Sequence, residues 1–180
     1  TYTILIVPGP SYSVNATLTL SADVAGTLTQ NGAAVLFGSA RVGQNGRYNF
    51  NATAGQNLSL LLSGATFAGS NTLTIYKPDG SWLANGNLGS GYPSGTLDLA
   101  NVPASGSYTV FVDPAGTATG QVSLQLLADA AASLAIDGAP LAVTLNAGQN
   151  GRYSFSGTAG QRLGLGLSGL ATTPAGGYVT

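Results

Sequence analysis

The stretch GQNGRYNFNATAGQNLSLLLSG, Gly43–Gly64, returns as GQNGRYSFSGTAGQRLGLGLSG, Gly148–Gly169, with 16 of 22 positions identical at an offset of 105 residues. A second pair, TYTILIVP (Thr1–Pro8) and SYTVFVDP (Ser107–Pro114), stands at an offset of 106. That match continues through Asp23 and Asp129 to the turns Asn31-Gly32 and Asp137-Gly138, and a one-residue gap near Val42 reconciles the two offsets. Self-similarity at a fixed spacing is the signature of a repeat protein, whose units are built alike and stacked. The unit is about 105 residues long. One complete copy is expected over residues 43–147. Residues 1–42 then form the C-terminal part of a preceding copy, and residues 148–180 the N-terminal part of a following one.

The unit is written in period two. Leu58, Leu60 and Leu62 alternate with Ser59, Leu61 and Ser63, and in the later copy Leu163, Leu165 and Leu167 keep the apolar side while Gly164, Gly166 and Ser168 take the other. Strict alternation over a few residues is the pattern of a half-buried strand. Tyr108, Val110 and Val112 make a second such face, as do Tyr2, Ile4 and Ile6. Phe111 and Leu5 add an apolar residue on their opposite sides, which predicts a central strand covered on both faces. Further strands are expected at 47–51, 72–76, 81–84, 96–99, 121–126, 134–136 and 141–145. Between them stand Asn31-Gly32, Asn45-Gly46, Asp79-Gly80, Asn85-Gly86, Asp137-Gly138 and Asn150-Gly151. Asn-Gly and Asp-Gly suit the positive φ of hairpin turns. The Ala-rich segment Leu126–Ala135 reads as strand plus connector, because its repeat partner Leu20–Thr29 has no helical pattern. The fold class is therefore all-β: an antiparallel β-sandwich, jelly-roll or Ig-like.

Composition narrows function. Only 6% of the 180 residues are charged, against about 25% in ordinary domains. The chain lacks His, Cys, Met and Glu altogether. Zinc, haem and iron–sulfur sites of the ordinary kind lose their ligands, and Ser-His-Asp or Cys-His catalysis loses its base. Five cations against six anions leave no basic surface for nucleic acid. No apolar run approaches the roughly 18 residues that cross a bilayer, and no membrane span is expected. Signal-peptide features are missing at Thr1, so the expectation is a mature chain or a fragment. A net charge of −1 removes the repulsion that keeps copies apart, which favours self-association.

AGQNLSLLLSG (Ala54–Gly64), NTLTIYKPDGSWLA (Asn71–Ala84) and LDLANVPASGSYTVFVDP (Leu97–Pro114) resemble the bacterial pre-peptidase C-terminal domain. The order is that family's: a GQ-led strand, a strand ending in a PDG turn, then PASG-S-Y-T-V. The resemblance covers Gly46 to about Leu126, with partial copies on both sides. It implies a β-sandwich that accompanies secreted enzymes or forms tandem arrays in surface proteins, with relatives that bind collagen or carbohydrate. Family members often carry an Asp-rich stretch before the PDG strand; here it is GSNTLTIY (Gly69–Tyr76), which puts an inherited calcium site in doubt.

Candidate sites are few. Trp82, Tyr76 and Tyr92 can form an aromatic platform for sugars, or can lie half-buried at the sandwich rim. Gly164 and Gly166, with Tyr2, Ile4 and Ile6, are candidates for an assembly surface, since strand glycines often mark a close backbone approach. Asn15, Asn51 and Asn57 sit in glycosylation sequons, about as many as this composition supplies by chance. Asp113 and Asp129 are candidates for calcium, while Asp79 and Asp137 are explained by their turns. Asp23 and Asp129 share a repeat position that suits a structural cap or turn, and Arg47 and Arg152 share another that suits carbonyl capping or an interface. Gly164, Gly166 and Gly169 spell a dinucleotide fingerprint, but inside a strand pattern rather than before a helix. No catalytic residue, metal or cofactor is expected. The sequence points to a non-catalytic, extracellular bacterial building block whose partners are copies of itself. If residues 1–180 are the mature chain, its two ends are expected to pair head to tail. The alternatives are a carbohydrate- or matrix-binding module, or an accessory domain of a secreted peptidase or toxin.

Overall fold

The computed structural model describes residues 1–173. It is all-β, with eleven strands and no helix among the described residues. The strands are β1 (Val24–Thr27), β2 (Val35–Ser39), β3 (Gly46–Ala52), β4 (Leu58–Ser63), β5 (Ser70–Tyr76), β6 (Trp82–Gly89), β7 (Gly95–Leu99), β8 (Gly106–Asp113), β9 (Gly120–Ala128), β10 (Ala130–Leu134) and β11 (Gly151–Phe155). The first nine form a sandwich: a five-stranded sheet in the order β1-β3-β8-β5-β6 faces a four-stranded sheet in the order β2-β9-β4-β7. All pairings in both are antiparallel except the parallel edge pair β1/β3. The strands β10 and β11 pair with each other.

The chain divides into two compact units, Thr1–Ala131 with Val143–Arg152, and Ala132–Ala142 with Tyr153–Thr180. The sandwich belongs to the first. Its strands run from Val24 to Ala128, a span of one 105-residue repeat, and they include β1 and β2, which precede Gly43.

Alternation decides which side chains meet between the sheets. β3 is buried at every second residue from Gly46 to Ala52. Tyr48 and Phe50 therefore face inward, with Tyr108, Val110 and Val112 of β8, against Leu58, Leu60, Leu62, Val122, Leu124 and Leu126 of the other sheet. Phe50 and Tyr108 are direct cross-strand partners and stack with centroids 5.3 Å apart, a pairing worth about 0.5–1.5 kcal/mol beyond area burial. The Tyr108 hydroxyl donates to the Ala104 carbonyl at 2.7 Å, so its polar end is satisfied inside the core. Buried Asn71 ties two loops: its amide donates to the Ala68 carbonyl at 3.1 Å, and its Oδ1 accepts from the Ala115 amide at 2.8 Å.

The structure corrects several sequence expectations. Asn85-Gly86 is no turn: β6 runs straight through it, with Gly86 opposite Leu73. A Cβ there would stand 2.6 Å from Leu97 Cδ1 of the facing sheet, so a larger residue would have to displace that side chain. Asn45-Gly46 and Asn150-Gly151 likewise start strands rather than turn; the bends lie upstream, where Gly43 and Gly148 share a φ of +73°. Asn31 and Asp137 do take the expected positive φ, at 58° and 57°. The strand expected at 134–136 lies instead at Ala130–Leu134, and 141–145 forms none. Residues 2–6 and 163–167 also form no strand, and their apolar residues are exposed. Alternation alone does not hold a strand; it needs a ladder partner, and none pairs with these segments among the described residues.

Candidate functional site

The outward side of the five-stranded sheet carries a row of aromatic, amide and hydroxyl groups. The register places Asn49 opposite Thr109, Thr109 opposite Tyr76, and Tyr76 opposite Trp82, so the four lie in one row across β3, β8, β5 and β6. A bulge between Ile75 and Tyr76 turns Trp82 onto this face. Trp82 is 60% exposed, and Thr109 donates its hydroxyl to Asn49 Oδ1 at 3.0 Å. The neighbouring row runs Arg47, Phe111, Thr74, Asn85. There the Arg47 guanidinium sits 4.2 Å above the Phe111 ring, which explains the apolar residue on the outward side of this central strand. An open cleft of about 320 Å³ lies beside the rows, lined by Arg47, Tyr76, Lys77, Pro78, Ser107 and Thr109.

The structure brings together two of the three expected platform residues. Tyr76 and Trp82 are cross-strand neighbours. Tyr92 is half-exposed and bridges to Gly89, at the other end of β6, roughly 20 Å from Trp82 at the ordinary rise of a strand. Thr109 and Asn49 were not singled out from the sequence, although their period-two positions outward of Tyr108, Val110 and Phe50 signalled the face; Phe111 was, as the apolar residue on the opposite side of its strand.

The second constellation joins the recurring charges. Arg47 Nε meets Asp23 Oδ2 at 2.6 Å, and Arg152 Nε meets Asp129 Oδ2 at 2.6 Å. The surrounding bonds recur as well. Val24 donates its amide to the Asn45 carbonyl at 2.8 Å, and Ala130 to the Asn150 carbonyl at 2.9 Å. Gln44 reaches the Ala22 carbonyl at 3.3 Å and Gln149 the Ala128 carbonyl at 2.8 Å. Recurrence in a charge-poor chain was visible in the sequence; that the two recurring charges form one pair was not.

The later clamp is the more enclosed. Asp129 is the single residue between β9 and β10, and its side chain is only 2% exposed. Ser59 of β4 donates its hydroxyl to Asp129 Oδ1 at 3.0 Å, and the Asp129 amide donates to the Asn57 carbonyl. Arg152 also reaches both oxygens of Asp98 on β7, at 2.9 and 3.0 Å. Bonds to Asp129 first and Asp98 second raise the guanidinium pKa further above its ordinary value, so the charge is permanent. Both Asp129 oxygens are thus engaged by the protein. Asp113 is exposed on β8 opposite Thr72. No cluster of three or more metal-ligating side chains occurs among the described residues.

The remaining candidates are scattered. Gly164 and Gly166 lie outside any strand, with open space where a Cβ would stand. Tyr2, Ile4 and Ile6 are 101%, 66% and 46% exposed. Asn15 and Asn51 are exposed, while Asn57 is half-buried and accepts the Asn101 amide at 2.8 Å.

No protein-family model matches the sequence, and no curated protein matches it. Among solved structures, the chain is similar to PliG of Aeromonas hydrophila, a periplasmic inhibitor of g-type lysozyme, at 15% identity over 58% of this chain and 98% of that one, with a TM-score of 0.38. It is similar to the pre-peptidase C-terminal domain of Bacillus anthracis collagenase at 14% identity, covering 58% of this chain and 93% of that one, TM-score 0.38. It is also similar to a family 6 carbohydrate-binding module at 11% identity, covering 58% and 95%, TM-score 0.30.

Proposed function

We propose that this chain is a non-catalytic structural module of an extracellular bacterial assembly, made of tandem β-sandwich repeats of about 105 residues joined by strand pairing and apolar packing. The observation that carries this reading is the Asp–Arg clamp found twice with the same 2.6 Å geometry, each time next to the strand that opens a repeat. At the second clamp β9 leads into β10 through Asp129 alone, and Gly148 lies so close to Leu61 that a Cβ would stand 2.8 Å from its Cδ1. The repeats are framed as a preceding part over 1–42, a complete unit over 43–147 and a following part over 148–180. A charge-poor, cysteine-free sequence suits an extracellular setting in which modules pack together. Immunogold electron microscopy on the producing cells, with antibody raised against this chain, tests the reading. Labelled surface structures are expected; label confined to the cytoplasm would overturn it.

A second reading is favoured by one observation, the exposed Trp82 ring directly across from Tyr76 in a row that ends in Thr109 and Asn49. Flat aromatic rings beside amide and hydroxyl groups suit a polysaccharide chain. Trp82 is the chain's one tryptophan, so its fluorescence reports on that face alone. A saturable change on titration with a polysaccharide supports the reading, and a flat response across a glycan panel removes it.

A further inference from the structure

We infer that the cleft beside the aromatic row takes the carboxylate of a uronic-acid unit, so that the polysaccharide held on this face is an acidic one. The inference rests on the Trp82–Tyr76 platform reading above and names its ligand class. The chain carries five cations in 180 residues, and Lys77 is its one lysine. Two of the five, Arg47 and Lys77, line the same cleft of about 320 Å³. Ser107 and Thr109 add hydroxyls to it, and among the described residues no carboxylate lines it.

Local structure sets these groups in place. Every second residue of β3 from Gly46 is buried, so Arg47 faces outward. Its guanidinium is held at two points, by Nε on Asp23 Oδ2 at 2.6 Å and by its central carbon 4.2 Å from the centre of the Phe111 ring. Lys77 opens the turn from β5 to β6. Its amide donates to the Ser81 carbonyl at 2.8 Å, and its carbonyl accepts from the Gly80 amide at 2.9 Å. Pro78, the next residue, packs against Gly106, where a Cβ would stand 2.9 Å from Pro78 Cγ. The turn bearing Lys77 is thereby seated against β8, the strand that carries Ser107 and Thr109.

Donors remain for a ligand. Among the described residues Arg47 bonds through Nε alone, and neither the Lys77 ammonium nor the Ser107 hydroxyl has a hydrogen bond. The two Nη groups of Arg47 are coplanar donors that match the paired oxygens of a carboxylate. The neighbouring acids are engaged elsewhere: Asp23 by Arg47 Nε, and Asp79 by the Ser81 hydroxyl and amide at 2.6 and 2.9 Å. Their charges offset the two cations, so the site discriminates acidic from neutral chains more than it adds affinity.

Continuity with the platform selects a glycan. Tyr76 and Thr109 belong to both the row and the cleft. The row crosses four strands, about 14 Å at the usual spacing, which holds a few sugar rings in line. The Trp82 and Tyr76 rings then stack on sugar faces while the carboxylate reaches Arg47 and Lys77. An acidic peptide brings no flat rings to Trp82. A polysulfated chain calls for more cations than this face has.

Trp82 fluorescence of the full chain, titrated with polygalacturonate, polymannuronate and glucuronoxylan, each beside its carboxyl-reduced form, tests the inference. The reduced polymers keep ring and linkage and lose only the charge. At least one acidic polymer is expected to bind about fivefold or more tightly than its reduced form, with the difference shrinking as salt rises. Lys77→Gln is expected to lower affinity for the acidic polymer about two- to fivefold, leaving the reduced polymer and the circular dichroism unchanged. Reductive methylation labels Lys77 and the N-terminus only, and the Lys77 methyl NMR signal is expected to shift with the acidic polymer alone. Equal binding of acidic and reduced forms would overturn the inference and leave the platform reading in place. Silence from every polymer would remove both. Polyglutamate binding as tightly as the acidic polymers would also overturn it, as would a Lys77 methyl shift that survives Trp82→Ala.

Discussion

Arg152 Nε lies 2.6 Å from Asp129 Oδ2, and the carboxylate it meets is 2% exposed although the guanidinium side chain is 40% exposed. The asymmetry sets the consequence of losing either partner. Without Arg152, Asp129 keeps the Ser59 hydroxyl but no counter-charge, and a buried carboxylate stripped of its cation is costly. Arg152→Ala is expected to lower the stability of the sandwich by about 1–2 kcal/mol, less than for a fully enclosed pair because solvent reaches the guanidinium. In urea unfolding, Arg152→Ala combined with Asp129→Asn is expected to cost less than the two changes added, since they share one interaction.

Leu60 and Leu165 occupy one repeat position in opposite environments. Leu60→Ala empties core volume and is expected to cost about 2–5 kcal/mol. Leu165→Ala is expected to change the unfolding free energy by no more than an ordinary surface change, about ±0.5 kcal/mol. Calorimetry on the two variants compares them directly.

Gly89 has φ +132°, and a Cβ there would run into the carbonyl oxygen of Gly69. Gly89→Ala combines backbone strain with an immovable clash, and is expected to destabilise by about 2 kcal/mol or more. Gly91, two residues on, has open space and no positive φ. Gly91→Ala is expected to change stability by no more than about 0.5 kcal/mol, measured by the same denaturation.

Asp79 shapes the hairpin turn between β5 and β6. The Ser81 hydroxyl donates to its Oδ1 at 2.6 Å and the Ser81 amide at 2.9 Å, and these bonds hold the carboxyl below its ordinary value of 3.8. A lowered folded pKa contributes stability that is present above the unfolded value and is lost as pH falls through the folded one. The turn is therefore expected to loosen only in acid, below the usual carboxylate range. In an NMR titration, Ser81→Ala is expected to move the Asp79 midpoint upward toward 3.8.

Trp82 stands on an edge strand, 60% exposed and outside the core. Trp82→Ala is expected to leave unfolding almost unchanged while abolishing any polysaccharide retention on affinity electrophoresis. A gel shift that survives the substitution would move the binding site away from this face.

Sequence alone reached the sandwich because its signals are local. Alternation at Leu58–Leu62 and Tyr108–Val112 names the buried side of a strand without knowledge of its partner, and the repeat doubles each observation. Asn85-Gly86 misled for the complementary reason: the dipeptide carries turn chemistry, but the glycine answers to Leu97 of the other sheet, a contact no local pattern records. The recurring Asp and Arg positions were visible, while their meeting across a 24-residue separation required the parallel pairing of β1 with β3.

What the sequence determined by itself is the repeat, its length and its apolar faces, because these are properties of residue order. What only the tertiary structure decided is which strands share one sandwich, because residue order does not specify hydrogen-bonded partners. By pairing β1 with β3 and β2 with β9, the ladders draw Val24–Ser39 into the same sandwich as Gly46–Ala128.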